Sequence, residues 1–232
     1  MKKHLVVLSG AGISAESGLG TFRDNGGLWE KYKIEDVATP EAWLKDPKRV
    51  TDFYNLRRKQ CIESLPNKAH EFLVELENQF KVSVITQNID DLHERAGSKN
   101  VLHLHGEIMK VKSSNPQFSD TTYAWQKENV KIGDLCENGF QLRPHVVWFG
   151  EDVPLLDVAA EIIKTADVFL IIGTSLNVYP ASGLIHATKQ DCLKIVIDPN
   201  AKELQLTNNF KVIAKNATEG LELFKEHLKP LL

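Results

Sequence analysis

The sequence predicts a doubly wound α/β fold: a parallel sheet with helices on both faces, and a smaller second lobe formed by two insertions. Three features predict it. Short β-branched-rich apolar runs recur along the chain. Each run stops at turn or cap residues. Stretches of helical periodicity fill the intervals.

Taken in order, Leu5-Val6-Val7-Leu8 leads to Gly10-Ala11-Gly12. Residues from about 25 to 78 then read mainly as helices, with Pro40 near one start and Pro47 and Pro66 as punctuation. Ala69, Phe72, Leu73, Leu76 and Phe80 keep helical spacing. Val82-Ser83-Val84-Ile85 leads to Thr86-Gln87-Asn88. The stretch 107–144 is polar, contains Ser113-Ser114-Asn115-Pro116 and shows few periodic signals. Val158, Ile162 and Ile163 mark a further helix before Val168-Phe169-Leu170-Ile171-Ile172, which runs into Gly173-Thr174-Ser175. Ile195-Val196-Ile197 runs into Asp198-Pro199-Asn200, and Leu221 and Phe224 mark a last helix. This assigns 1–24, 80–106 and 145–232 to a Rossmann-like lobe and the insertions 25–79 and 107–144 to a small lobe, all within one domain over 1–232. In such sheets ligands sit beyond the carboxyl ends of the strands, where all these polar segments fall.

Composition narrows the function classes. Twenty-eight Lys and Arg against 31 Asp and Glu leave a net charge of −3 over 232 residues, without the basic footprint of a nucleic-acid binder. No apolar run approaches the ~20 residues needed to span a bilayer, so no membrane role is expected. Cys61, Cys136 and Cys192 lie far apart, are odd in number and form no CxxC, which suits free thiols in a reducing, cytoplasmic setting. Nothing in the sequence specifies an oligomeric state.

Gly10-Ala11-Gly12-Ile13-Ser14-Ala15 fits a loose G-x-G-x-x-A pattern after a strand. Glycines let a backbone approach a pyrophosphate, and a following helix N-terminus offers donors; taken alone, the pattern equally fits a tight turn. A dehydrogenase also needs an acid ~20 positions on for the ribose. Here the next sheet strand starts only near Val82. The intervening Ser17 to Gly27 stretch suits a cover over a ligand, with Arg23 for phosphate and Phe22 as a shield, or else a surface Ω-loop.

Gly10 through Gly18, continuing to Thr21-Phe22-Arg23, resembles the first signature of the sirtuins, NAD-dependent protein-lysine deacylases. Thr86-Gln87-Asn88-Ile89-Asp90-Asp91-Leu92-His93 resembles the second, and Leu104-His105-Gly106 the catalytic histidine motif. Arg143 to Glu151 resembles the segment lining the substrate cleft, and Gly173-Thr174-Ser175-Leu176 with Val178 and Pro180 the cofactor loop. The blocks stand in family order and cover most of the chain.

The resemblance implies NAD as a consumed co-substrate. Gly10, Ala11, Gly12, Glu16, Arg23, Gly173, Thr174, Ser175 and Asn200 would hold its phosphates and adenosine half, with Ala217 touching the adenine and Thr21 and Phe22 in the covering loop. Asn88, Ile89 and Asp90 would form the nicotinamide pocket, and Gln87 would contact the ribose. In the family reaction the acyl oxygen attacks the ribose carbon as nicotinamide leaves, giving an alkylimidate. His105, as general base on a ribose hydroxyl, then leads to free lysine and O-acyl-ADP-ribose. A pKa near 6.5 suits that task. His93, His103 and His145 are rivals; His103 and His105 alternate on an apparent strand, and only His105 precedes Gly106 in the motif.

Tyr54 and Arg57 are three apart, on one helical face, with Arg58 turned away. The pair resembles the acyl-pocket signature of class III sirtuins, which remove succinyl and malonyl groups; deacetylation is expected as well. A guanidinium can clamp the terminal carboxylate of such acyl groups. Without the family, Arg57 reads as a surface residue paired with Asp52. Ser113, Pro116, Cys136 and Asn138 stand where most sirtuins carry four zinc cysteines, so no zinc is expected. Phe118, Tyr123, Trp125 and Phe140 are the expected replacement core. Acyl-lysine peptides are expected to add as a β-strand between the Phe149-Gly150-Glu151 segment and the Asn177-Val178-Tyr179 loop, with Val147 also lining the substrate cleft. The rival functions are a protein ADP-ribosyltransferase and a non-catalytic NAD or ADP-ribose sensor.

Overall fold

The computed structural model describes residues 2–20, 32–125, 129–204, 206 and 209–231. Six parallel strands form the main sheet: β1 (His4–Ser9), β2 (Lys81–Thr86), β3 (Val101–His103), β7 (Val168–Ile172), β8 (Leu193–Ile197) and β9 (Phe210–Ile213), in the order β3-β2-β1-β7-β8-β9. The order reverses between β1 and β7, which places a crevice at their carboxyl ends.

Burial on both faces explains why the central strands are continuous apolar runs. Leu5 and Val7 join one core with Leu170 and Ile195, while Val6 and Leu8 join the other with Phe169 and Val196. Helices α5 (Lys68–Leu76) and α8 (Leu221–Leu228) cover the first face through Phe72, Leu73, Leu221 and Phe224. Helix α7 (Leu156–Lys164) and the 3₁₀ segment Ala181–Ala187 cover the second through Ala159, Ile163, Ala181 and Leu184.

The first excursion begins, among the described residues, with short helices α2 (Ile34–Val37) and α3 (Pro40–Lys45) and the long α4 (Pro47–Glu63). Both prolines stand in the first turn, where the missing N–H costs nothing, behind Thr39 and Asp46 as N-caps. The second excursion forms an antiparallel sheet, β5-β4-β6, of β4 (Gly106–Ser113), β5 (Thr122–Ala124) and β6 (Leu142–Val146). Phe53, Tyr54, Ile108, Val146 and Trp148 form one core that joins α4 to this sheet.

A second small core holds Val111, Trp125, Val130, Cys136 and Leu142, with Tyr123 packed against it. The expected aromatic replacement core divides: Tyr123 and Trp125 belong to this cluster, whereas Phe118 and Phe140 stack on each other at 5.5 Å with Phe140 exposed.

Candidate active site

A cleft of about 800 Å³ follows the carboxyl ends of the main sheet. The strand order sets which loops meet there. His105 follows β3, Gln87 to Asp90 follow β2, and Gly10 to Glu16 follow β1. Gly173 to Ser175 follow β7, Asp198 to Asn200 follow β8, and Asn216 and Ala217 follow β9. The lining also includes Tyr54, Arg57, Val147, Phe149, Gly150 and Val178. All the sequence-predicted site residues that are described, from Gly10, Ala11, Gly12 and Glu16 to Asn200 and Ala217, thus line one cleft; Thr21, Phe22 and Arg23 lie outside the described residues.

The glycines are required by close approach between loops. A Cβ on Gly12 would lie 2.8 Å from Gly173 Cα, and Gly173 has φ of +62° with a Cβ position 2.2 Å from Ile13 N. The loop amides are largely engaged within the protein: Gly10 N–H donates to Ile172 O, Gly12 N–H to Gly173 O and Ile13 N–H to Gly10 O. Helix α1 (Gly12–Ala15) is a single turn. The glycine motif therefore brings two loops together, and the helix that follows it is one turn long. Glu16 reaches across the cleft instead, its carboxylate accepting from Thr218 N at 2.9 Å and Thr218 Oγ1 at 2.5 Å, which holds the loop bearing Ala217.

His105 sits in the turn between β3 and β4, so the expected strand alternation with His103 is corrected: β3 ends at His103. The turn requires Gly106, whose φ is +81° and whose Cβ would meet His145 O at 2.1 Å. His105 Nδ1 lies 3.0 Å from the Gln87 carbonyl. A carbonyl only accepts, so Nδ1 carries the proton, and in the neutral ring Nε2 is the acceptor. Burial lowers the His105 pKa, partly offset by the bond to Gln87, so the ring stays neutral and basic. His103 is instead buried between Asn88 O and Glu94. His93 is buried against Ser9, and His145 is held to a pKa of about 4 by burial and nearby Lys112.

Asp90 is buried, and burial raises its pKa against the opposing Leu92 N–H and Ser14 hydroxyl. Ser14, absent from the residues picked from the sequence, links the loops: its Oγ donates to Asp90 at 3.1 Å and accepts from Asn88 Nδ2 at 3.1 Å. Its place inside the Gly-Ile-Ser-Ala turn, two positions past Gly12, was the available signal. Gln87 Nε2 donates to Thr174 Oγ1 at 3.1 Å, tying the β2 loop to the β7 loop.

Tyr54 is buried, and burial pushes its phenol pKa up, so the hydroxyl stays protonated. Arg57 donates to Gln60 at 3.2 Å, and its buried Nε has no partner among the described residues. Asp52 is engaged by Lys48 instead. Arg58 is fully buried and holds Ile108 O at 2.9 Å and Asn55 at 2.8 Å, so this neighbour is a structural strut.

Among the described residues no group of three or more His, Cys, Asp or Glu is placed to hold a metal ion. Ser113, Pro116 and Asn138 are not thiolate donors, and Cys136 packs in the small core, so the residues present do not fit a structural zinc.

Residues 10–180 match the Sir2 family. A protein of Bacteroides thetaiotaomicron known as NAD-dependent protein deacylase is 52% identical over 232 residues, covering 98% of this chain and 99% of the relative. A Helicobacter pylori protein of the same name is 52% identical over 220 residues, covering 95% and 93%. Among solved structures, a Sir2 homologue in complex with NAD superposes with a TM-score of 0.86 at 39% identity, covering 99% of this chain and 91% of that one. A Sir2 protein solved with deacetylated p53 peptide and 3'-O-acetyl ADP ribose gives 0.78 at 28% identity, covering 97% and 94%.

Proposed function

The chain belongs to the Sir2 family, and from that premise we propose that it is an NAD-dependent protein-lysine deacylase whose acyl pocket favours chains ending in a carboxylate. The observation that carries the first part is a neutral, half-buried His105 facing the same cleft as Asn88, Asp90 and the interlocked glycine loops. The cleft volume, about 800 Å³, suits a ligand of dinucleotide size.

NAD, when bound, supplies the bond whose cleavage releases nicotinamide and the sugar that receives the acyl group. The chain's own residues do the rest. His105 Nε2 takes the proton from a ribose hydroxyl. Asn88, Ile89 and Asp90 receive the nicotinamide, with Asp90 accepting from its carboxamide, and Gln87 takes the adjoining ribose. Gly10, Ala11 and Gly12 with Gly173, Thr174 and Ser175 line the phosphates; Asn200 and Ala217 take the adenosine side, steadied by Glu16. Arg23, Thr21 and Phe22 complete this set as family assignments.

The carboxylate preference is supported by Arg57. Its guanidinium lines the cleft without an acidic partner among the described residues, beside the protonated Tyr54 hydroxyl. Acetyl groups, lacking that carboxylate, are removed more slowly. The peptide adds as an extended strand between Phe149-Gly150 and Asn177 to Tyr179, with Val147 and Val178 flanking the lysine. The small lobe works without zinc, its place taken by the Trp125 and Leu142 core. Three buried, unpaired cysteines support a reducing, cytoplasmic setting. No helix of the described residues is long and apolar enough to cross a membrane.

The test is incubation with NAD and succinyl-, malonyl- or acetyl-lysine peptide, read by mass spectrometry. Nicotinamide release with deacylated peptide, fastest for the succinyl and malonyl peptides, is expected. Mass added to a protein acceptor would make it a transferase, and no nicotinamide release would make it a sensor.

A further inference from the structure

His103 ends β3 and is 8% exposed. Its Nδ1 lies 2.9 Å from the Asn88 carbonyl and its Nε2 2.8 Å from Glu94 Oε1, on helix α6 (Leu92–Ala96). A carbonyl only accepts, and so does an ionised carboxylate, so both ring nitrogens carry protons and the ring is an imidazolium. The surrounding charges agree. Burial alone would lower the His103 pKa, but Glu94, the Asn88 carbonyl and Glu107 outweigh it and raise it. Burial would raise Glu94, but the bond and charge of His103 hold it below the usual carboxylate range. Glu94 and His93 face the ring from α6, Glu107 from β4, and Asp90 from the loop after β2; Lys110 bridges Glu107 at 2.6 Å.

Two alternate histidines therefore hold two consecutive carbonyls: His105 donates to Gln87 O, and His103 to Asn88 O. We propose that His103 and Glu94 form a positioning pair, in which the doubly protonated ring, anchored by Glu94, fixes the Asn88 peptide and so the Asn88–Asp90 stretch that receives nicotinamide. This rests on the deacylase reading for what the stretch binds. The charge is essential to the device. When His103 loses a proton, one N–H remains for two acceptors, and either the Asn88 bond or the Glu94 bond is lost. Glu94→Gln removes that dependence: a neutral ring keeps Nδ1–H on Asn88 while its Nε2 accepts from the glutamine amide. A merely structural contact would not distinguish these cases.

The test uses the full chain in two readouts. Nitrogen-15 NMR of the His103 ring at pH 7 is expected to show both nitrogens protonated in the native protein and one in Glu94→Gln. The nicotinamide inhibition constant, measured on deacylation across pH 6–9, is expected to weaken by about tenfold as native His103 titrates, the worth of one charge-assisted hydrogen bond. In Glu94→Gln it stays flat over that range, with kcat at saturating NAD retained. A singly protonated native ring at pH 7, or the same pH dependence in both proteins, overturns the pair while leaving the deacylase reading intact. A native protein that releases no nicotinamide and is not inhibited by it overturns that reading, and with it the role of Asn88; the NMR result then stands alone on the charge state.

Discussion

The rim of the parallel sheet and the wall supplied by helix α4 (Pro47–Glu63) meet the same cleft but are built differently. On the rim, several polar groups are tied to a second loop. Ser14 joins Asn88 to Asp90, Gln87 joins Thr174, Glu16 joins Thr218, and His105 and His103 hold consecutive carbonyls. On the α4 wall, among the described residues Arg57 is held by Gln60 alone, within its own helix. Interlocked groups suit chemistry that needs fixed geometry. A guanidinium held at one point, with a buried Nε open to a new acceptor, suits recognition of a variable group. Under the proposed function, reaction belongs to the rim and acyl choice to the insertion.

The sharpest way to break that division is His105→Ala. It should lower deacylation of every acyl peptide by about 10²–10⁴-fold, the usual worth of a general base, without selectivity change; steady-state kinetics on succinyl and acetyl peptides check it. Arg57→Met should do the reverse, lowering desuccinylation by one to two decades, or about 1.5–3 kcal/mol for a charged hydrogen bond, while deacetylation stays within about twofold. Equal loss of both would place Arg57 with the rim.

Gly173→Ala addresses the interlock itself. Its Cβ would fall 2.2 Å from Ile13 N at a φ of +62°, so about 1–3 kcal/mol of strain is expected, seen as a lower Tm with both activities reduced together. A smaller effect concerns pH. Burial lowers the His105 pKa from 6.5, so the neutral base persists below pH 6.5, and activity falls only as pH drops through the depressed value. The acid limb of kcat/KM should lie below 6.5; a limb above it would contradict the neutral, carbonyl-bound ring. The smallest effect is none: a strong chelator should leave Tm and rate unchanged, since Trp125, Val130 and Leu142 hold the small sheet.

The same contrast explains what was legible. The strands β1, β2, β7 and β8 are buried on both faces, and such strands read as unbroken apolar runs. Strand β4 alternates buried Ile108, Val111 and Ser113 with partly exposed neighbours, and lysines on its open side masked the pattern. Strand β9 is an edge strand with an exposed Lys211 and Val212, so its apolar signal is short. At the site, residue types in sequence blocks pointed to His105, Asn88 and Asp90, but their partners depend on loops distant in sequence. Helical spacing separates Arg57, which lines the cleft with Tyr54, from Arg58, but it does not reveal that Arg58 braces Ile108. Nor does the pattern around His103 reveal Glu94, nine residues earlier, as its partner.

The most direct measurement is the stoichiometry of one reaction cycle with NAD and succinyl-lysine peptide, followed by mass spectrometry. The account predicts one nicotinamide and one O-succinyl-ADP-ribose for each lysine freed, and no lysine freed without NAD. Free succinate with intact NAD, or nicotinamide release with the peptide still acylated, would contradict it.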